Sequence, residues 1–138
     1  MKILGLDHVA ICSPSIDEAA APFLVQLGLA QGPRELVESQ RTLASFLLTG
    51  DEAGACVELI APAGNPTLEK FLARRGAGLH HVAFRVDDLA AALDELAGRG
   101  TLLIDRVPRP GARGHRVAFL HPGACGGVLV ELVEAHGP

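Results

Sequence analysis

The sequence of 138 residues is long enough for one domain, or for two half-size modules that share one structure. Hydrophobic residues make up 49% of it and charged residues 20%, proportions typical of a compact domain with an apolar core. The formal net charge of −4 argues against a basic surface, and without Trp or Tyr the chain offers few rings on which bases could stack. We therefore expect no nucleic-acid partner.

No apolar run reaches the roughly 18 residues that a membrane-spanning helix needs, so no membrane partner is expected. The first residues enter a strand-like pattern directly, without the apolar region and cleavage site of a signal peptide. The three cysteines are an odd number without CxxC spacing, which argues against a disulfide framework and a thiolate zinc site. Together these features predict a reduced, cytoplasmic protein.

Residues 1–62 predict a first module with the order β-α-β-β-β. Alternating apolar residues indicate a strand over 6–12. Ser15 and Glu18 have the S-x-x-E spacing of a capping box, which opens a helix. The Gly32-Pro33 pair is expected to begin a connection. Further strands are expected over 35–37, 42–48 and 55–61, with a turn over 50–54.

A second module repeats this order after a short seam, in which a helix over 67–75 is expected to end at Gly76. The second module is expected to contain a strand over 79–86, a helix capped by Asp87 or Asp88, and strands over 102–107, 117–120 and 128–133. The sequence thus predicts a single domain over 1–138, made of module one (1–62), a linking helix (63–78) and module two (79–138).

The two modules are copies related by an ungapped offset of 73 residues, the separation between His8 and His81. LDHVAI at 6–11 corresponds to LHHVAF at 79–84, and VEL at 57–59 to VEL at 130–132. The same offset superimposes Glu131 on Glu58. Each module alone would have a marginal core. We therefore expect an α+β fold in which the two βαβββ modules form a curved mixed β-sheet around a central cavity.

Equivalent strand positions would face that cavity from opposite sides, which predicts a metal site formed by His8, Glu58, His81 and Glu131. Two imidazoles and two carboxylates suit one divalent ion of intermediate hardness, namely Co²⁺, Mn²⁺, Ni²⁺, Fe²⁺ or Zn²⁺. Four protein ligands on an octahedral ion leave two positions open, which is what a catalytic metal needs to polarise a substrate oxygen.

The alternative is an ordinary structural role, since a single His or Glu in a strand is usually a surface or hydrogen-bonded residue. Duplication explains the shared apolar residues by packing. It does not explain why Glu58 and Glu131 persist within apolar runs, because a carboxylate on a half-buried strand is costly unless it is paired or metal-bound. His80 is not expected to be a ligand, because its counterpart is Asp7 and it points to the opposite face.

The paired modules with this His-Glu-His-Glu set resemble the vicinal oxygen chelate superfamily, which includes glyoxalases, extradiol dioxygenases and bleomycin-resistance proteins. The second half is similar to methylmalonyl-CoA epimerases at residues 76–84 (GAGLHHVAF), 111–115 (GARGH), 117–122 (VAFLHP) and 126–132 (GGVLVEL). The resemblance implies a glyoxalase-like fold, the same four metal ligands, an acyl-CoA thioester as substrate and a homodimer. It also implies epimerisation of (R)- and (S)-methylmalonyl-CoA.

The sequence departs from the epimerase pattern at Ser39, where those enzymes carry a glutamate eleven residues before the glycine that corresponds to Gly50. Glu38 is adjacent, but a shift of one residue on a strand turns a side chain to the opposite face. Either a local bulge restores Glu38 to the cavity, or the usual proton-transferring glutamate is absent.

The chemistry that fits is removal of a proton next to a carbonyl, with acid–base groups on both faces of the enolate. Glu131 (or Glu58) and an inward-facing Glu38 are the candidate catalytic groups, although Glu38 would equally suit a solvated loop. The alternatives are a glyoxalase I-like lactoylglutathione lyase, which would tolerate Ser39, and a non-catalytic binding protein, against which the intact set of four ligands argues. Extradiol dioxygenase activity fits less well, because that site needs only one carboxylate.

Coenzyme A phosphates could be contacted by Arg109, Arg113, His115 and Arg116, but an exposed basic loop is equally expected as plain surface.

Overall fold

The computed structural model describes residues 1–50 and 54–135. In this part of the chain the helices are α1 (Ile16–Leu27), α2 (Pro66–Arg75) and α3 (Leu89–Gly98). The strands are β1 (Ile3–Cys12), β2 (Ala30–Val37), β3 (Thr42–Leu48), β4 (Cys56–Pro62), β5 (Gly78–Val86), β6 (Arg109–Pro110), β7 (Arg116–Leu120) and β8 (Val130–Glu134). The turn expected over 50–54 falls largely outside the described residues.

The chain divides into two compact units, and the division does not follow chain order. One unit is His8–His80, and we call it the first unit. The other combines Met1–Asp7 with His81–Pro138, and we call it the second unit. The prediction of a single domain over 1–138 remains a prediction.

In the first unit, four strands are paired in the order β2-β3-β4-β1 and α1 packs on them. β1 runs parallel to β4, whereas β3 is antiparallel to both β2 and β4. The core between helix and strands is apolar and fully buried at its centre. Its buried members are Ile16, Ala20, Leu47, Leu59 and Ala61.

In the second unit, the paired strands follow the order β5-β8-β7-β6, again with parallel and antiparallel pairs. α3 covers this sheet as α1 covers the other, and it contributes Leu89, Ala92, Leu93 and Leu96 to the core. Each unit is thus a mixed sheet with a helix on one face, in agreement with the expected α+β class.

The offset of 73 residues holds for the strand registers as well as for the sequence. Ala10 pairs with Glu58 in the first unit, and Ala83 pairs with Glu131 in the second. It holds for the helix starts too, because the side chain of Ser15 accepts a hydrogen bond from the Glu18 amide and that of Asp88 caps α3 in the same way. Both side chains are preferred N-caps that satisfy an amide of the first helical turn.

Residues 102–107 do not form the strand expected there. Only Leu103 makes an isolated bridge, and the amides of Ile104 and Asp105 both donate to the carbonyl of Phe119, at 3.0 and 3.1 Å. The Asp105 carboxylate in turn accepts the Phe119 amide at 2.9 Å. The Phe119 amide thus bonds to the Asp105 side chain and not to a backbone carbonyl of a neighbouring strand. The segment around Asp105 therefore turns and does not continue as a strand.

The connection expected at Gly32-Pro33 is also wrong, because both residues lie inside β2. The register between β2 and β3 shifts between Gln31 and Arg34. Proline is tolerated in a strand at such an irregularity, since it donates no ladder hydrogen bond there. Among residues 1–50 and 54–135, no helix combines the length and the apolar character needed to cross a membrane.

Candidate metal centre

His8 and Glu58 form a buried pair in the first unit. His8 lies on β1 two residues before Ala10, which pairs with Glu58 on β4, so strand alternation puts both side chains on one face of the sheet. The His8 Nε2 and Glu58 Oε1 atoms are 3.4 Å apart, and the residues are only 4% and 7% exposed. The structure therefore brings together the first two of the four expected ligands.

His81 and Glu131 form the same pair in the second unit. The register that joins Ala83 to Glu131 repeats the one in the first unit, and it again places the histidine and the glutamate on one face. His81 Nε2 lies 3.6 Å from Glu131 Oε1, and the two residues are 6% and 4% exposed. The second half of the expected ligand set is therefore built like the first.

A phenylalanine accompanies each histidine, a feature that the sequence analysis did not assign to the site. Phe46 meets His8 edge-on, with ring centroids 5.9 Å apart, and Phe119 meets His81 in the same way at 5.2 Å. Phe46 pairs with Glu58 across β3 and β4, as Phe119 pairs with Glu131 across β7 and β8. The same offset relates the two phenylalanines, so the repeat could have identified them.

The chemistry of these side chains fits a divalent cation. Buried carboxylates are costly unless they are paired or metal-bound, and Glu58 and Glu131 each face an imidazole nitrogen within ion-pair distance. Two ligand atoms about 2.1 Å from a shared ion would lie roughly 3.0–3.4 Å apart, close to the observed spacing. Within each unit, the buried histidine and glutamate offer the donor types that hold such an ion.

Comparison with known proteins decides the family. The family model described as the Glyoxalase/Bleomycin resistance protein/Dioxygenase superfamily matches residues 7–119. The chain belongs to this superfamily.

Relatives of this superfamily member include methylmalonyl-CoA epimerases. The mitochondrial methylmalonyl-CoA epimerase of Dictyostelium discoideum is 35% identical over 94% of this chain and 77% of that protein. An uncharacterised Bacillus subtilis protein, YqjC, is 40% identical over 96% of this chain and 93% of that protein.

A solved structure supports the same conclusion about the fold. It is the structure of methylmalonyl-CoA epimerase in complex with methylmalonyl-CoA and NH₄⁺, which is 29% identical to this chain. It matches with a TM-score of 0.89 over 99% of this chain and 97% of that one. The glyoxalase-like α+β fold expected from the sequence is therefore confirmed.

Glu38 lies on a turn and not on a strand, so strand geometry does not decide between the two outcomes that the sequence left open. β2 ends at Val37, and Glu38–Gln40 form a short 3-10 turn that closes when the Arg41 amide donates to the Glu38 carbonyl at 3.1 Å. The register shift in β2 lies earlier, between Gln31 and Arg34. Strand alternation therefore does not set the direction of Glu38, which is exposed, as is Ser39.

Asp7 is buried at 3% exposure and forms an ion-pair network that the sequence did not predict. Its carboxylate accepts hydrogen bonds from Arg85 at 3.1–3.2 Å and from Arg113 at 3.1 Å. The counterpart of Asp7 under the offset is His80, whose ring packs edge-on against Phe71 of α2 at 4.9 Å. The two modules of this superfamily member thus differ next to their histidines.

The basic loop that was considered for coenzyme A has acidic partners within the protein. Arg113 pairs with Asp7, Arg109 lies 3.3 Å from Asp105, and Arg116 lies 3.3 Å from Glu134. The loop is also closed on itself, because the Gly111 amide donates to the His115 carbonyl at 2.9 Å. These arginines are therefore positioned by the fold and are not simply solvated surface.

The three cysteines are free, in agreement with the expectation that they form no disulfide framework. Cys12 is buried, and burial raises the pKa of its thiol to about 11 because a thiolate would lose its hydration there. A thiol with this pKa stays protonated at neutral pH and is a poor metal ligand or nucleophile. Cys12 therefore belongs to the packed interior.

Proposed function

We propose that this superfamily member is a metal-dependent epimerase that interconverts (R)- and (S)-methylmalonyl-CoA by transfer of the α-proton. The observation that carries the proposal is the buried His–Glu pair present in both units with the same strand register. The epimerase relatives, and a structural neighbour described in complex with methylmalonyl-CoA, support the choice of an acyl-CoA thioester as substrate.

In this proposal His8, Glu58, His81 and Glu131 hold one divalent ion per chain. Such an ion would supply positive charge that stabilises the enolate oxygen formed when the α-proton leaves. The chain's own residues provide the rest. The imidazoles of His8 and His81 contact the nearly perpendicular rings of Phe46 and Phe119, and the low exposure of the four side chains keeps bulk water away from the charged groups.

Proton transfer on the two faces of the enolate needs two groups. We propose that the carboxylate of Glu131 removes and returns the proton on one face. The carboxylate of Glu38 is our candidate for the other, because its exposed 3-10 turn allows it to reach a bound substrate without strand constraints. Each must come within hydrogen-bond reach of the α-carbon and have a pKa near the working pH.

A glyoxalase I-like lactoylglutathione lyase is the second candidate. Ser39 occupies the position of the glutamate that epimerases use, and Glu38 is exposed on a turn. A lyase of that kind needs no base there, because a ligand carboxylate carries out the proton transfer. This substitution is the specific observation that favours the alternative.

Two features of the proposal depend on other observations. The resemblance to epimerases is our reason to propose a homodimer, which the mass of the purified protein in solution would test. The cysteine pattern is our reason to propose a reducing, cytoplasmic setting, since the three thiols are free.

The deciding experiment is α-proton exchange in deuterated water. Metal-free protein is reloaded with Co²⁺, and we expect uptake of about one ion per chain. Incubation with (R)- or (S)-methylmalonyl-CoA should then introduce deuterium at the α-carbon, as measured by mass spectrometry. No Co²⁺ uptake would contradict the metal site. No exchange, together with turnover of the methylglyoxal–glutathione adduct, would replace the epimerase by the lyase.

A further inference from the structure

Arg109 and Asp105 both contact Phe119, the phenylalanine that meets His81. The guanidinium carbon of Arg109 lies over the Phe119 ring, 5.6 Å from its centroid, and Arg109 Nε is 3.3 Å from Asp105 Oδ2. The same Oδ2 accepts the backbone amide of Phe119 at 2.9 Å. One carboxylate is therefore the ion-pair partner of the cation above the ring and the hydrogen-bond acceptor for the backbone that carries the ring.

The ring held in this way is the one that contacts a proposed metal ligand. The rings of Phe119 and His81 are nearly perpendicular, with an interplanar angle of 89° and 5.2 Å between their centroids. His81 Nε2 then faces Glu131 Oε1 at 3.6 Å. A cation over the face of a phenylalanine is attracted by the negative face of the ring. A continuous series of contacts therefore runs from Asp105 through Arg109 and Phe119 to His81.

The positions of the first unit that correspond to Arg109 and Asp105 carry other residue types. Under the offset, the counterpart of Arg109 is Leu36. Under the strand pairing it is Glu35, because Arg109 pairs with Val117 and Glu35 pairs with Ala44, the counterpart of Val117. Neither Leu36 nor Glu35 carries a positive charge. The counterpart of Asp105 under the offset is Gly32, which has no side chain.

The difference is visible in the packing of the two phenylalanines. Phe119 is buried at 8% exposure, whereas Phe46 is only partly buried. The ring centroids of Phe46 and His8 are 5.9 Å apart, against 5.2 Å for Phe119 and His81. The ring that carries the arginine is therefore the more deeply buried and the closer to its histidine.

We propose that Asp105 and Arg109 are positioning residues that set the orientation of His81 through Phe119. The inference rests on the metal site of the proposed function. Residues that orient a metal-binding histidine typically change metal affinity by about 10–100-fold when they are replaced. We call Asp105 and Arg109 together the clamp.

The test replaces Arg109 by the residue that the first unit has. In Arg109→Leu we expect Co²⁺ affinity, measured by calorimetry, to fall about 10-fold. We also expect the His81 ring-proton resonances of metal-free protein to shift, because a looser Phe119 changes its ring current. Arg109→Lys keeps a cation and should restore most of both properties.

The matched control is Arg106→Leu, which removes the same charge from the same segment. Arg106 pairs with Asp94 at the surface, with side chains 55% and 71% exposed, so its loss should leave Co²⁺ affinity and the His81 resonances unchanged. If the control weakens Co²⁺ binding as much as Arg109→Leu, net charge rather than orientation is responsible and the clamp is rejected.

The remaining outcomes separate the two proposals. Wild-type protein that takes up no Co²⁺ overturns the metal site, while the His81 resonances of the metal-free variants still test the clamp. Normal Co²⁺ affinity and unchanged His81 resonances in Arg109→Leu overturn the clamp alone. A raised KM for the acyl-CoA with unchanged Co²⁺ affinity would also overturn it, because Arg109 would then be a substrate contact. If Arg109→Leu does not fold, Arg109→Lys and Asp105→Asn are compared instead. Arg109→Lys keeps the cation and should bind Co²⁺ more tightly than Asp105→Asn. Equally low Co²⁺ affinities in the two variants would contradict the proposal.

Discussion

The two His–Glu pairs are alike in their strand geometry and different in what surrounds them. In both, a histidine on one strand and a glutamate on its parallel neighbour share a sheet face, with a phenylalanine edge against the imidazole. Around the second pair lies a charged clamp, and around the first lie neutral or acidic residues at the corresponding positions. Duplication has kept the side chains that the proposed chemistry needs and has let their supports diverge.

A further asymmetry lies next to the histidines. Asp7 precedes His8 and pairs with two arginines of the second unit, whereas His80 precedes His81 and packs on Phe71 of the first unit. Each of these residues belongs to the unit that does not contain the histidine beside it in the chain. Similar His–Glu pairs are therefore held by unlike contacts. Changing equivalent residues of the two units in turn tests how much this difference matters.

The largest effect is expected from Glu131→Gln compared with Glu58→Gln. If both carboxylates are ligands but Glu131 alone transfers the proton, Glu131→Gln should reduce the rate about 10²–10⁴-fold at saturating Co²⁺. Glu58→Gln should lower Co²⁺ affinity and, once saturated, retain most of the rate. Steady-state kinetics over a range of Co²⁺ concentrations measures both quantities. Equal losses of rate at saturation would mean that the halves are chemically equivalent.

A smaller loss, about 10²-fold, is expected for Glu38→Gln. If Glu38 serves only one face of the enolate, deuterium should still enter from one epimer of methylmalonyl-CoA at a normal rate while epimerisation falls by this factor. Glu69→Gln, which neutralises an exposed acid in the first turn of α2, is the control and should behave as wild type.

A second variant tests where the base lies. Glu35 pairs with Ala44 and Ala44 with Ile60, which is two residues from Glu58, so Glu35 lies on the sheet face that carries Glu58. Loss of exchange in Glu35→Gln, with normal exchange in Glu38→Gln, would move the role from the turn to β2.

The smallest effect concerns stability. Asp7→Asn should lower the free energy of unfolding by about 2 kcal/mol, because a buried carboxylate is lost between two arginines that are themselves partly exposed. Asp94→Asn removes an exposed partner of Arg106 and should change it by less than about 0.5 kcal/mol. Urea unfolding of metal-free protein measures both. Similar values for the two variants would show that the Asp7 network contributes no more than a surface pair.

The sequence predicted the features that duplication preserves. The offset located both His–Glu pairs, and it places the helix starts and strand registers of the two modules at equivalent positions, because each depends on residue type at a fixed spacing. It did not predict the turn at 102–107, where the Asp105 side chain replaces a strand carbonyl. The clamp and the Asp7 network were also missed, since both join residues that the repeat does not relate. The direction of the Glu38 side chain was also not predicted. Glu38 lies on a 3-10 turn, and alternating apolar residues indicate the faces of a strand but not the direction of a turn.

The placement of Met1–Asp7 with residues 81–138 has a consequence for how the chain folds. The Lys2 amide binds the Asp87 carboxylate across 85 positions, and Asp7 meets Arg85 across 78. Contacts between such distant positions require a long loop to close before they stabilise anything, and chains rich in them fold slowly. During synthesis the first seven residues leave the ribosome long before their partners exist. Residues 1–7 are therefore among the last of the described residues to acquire their native neighbours.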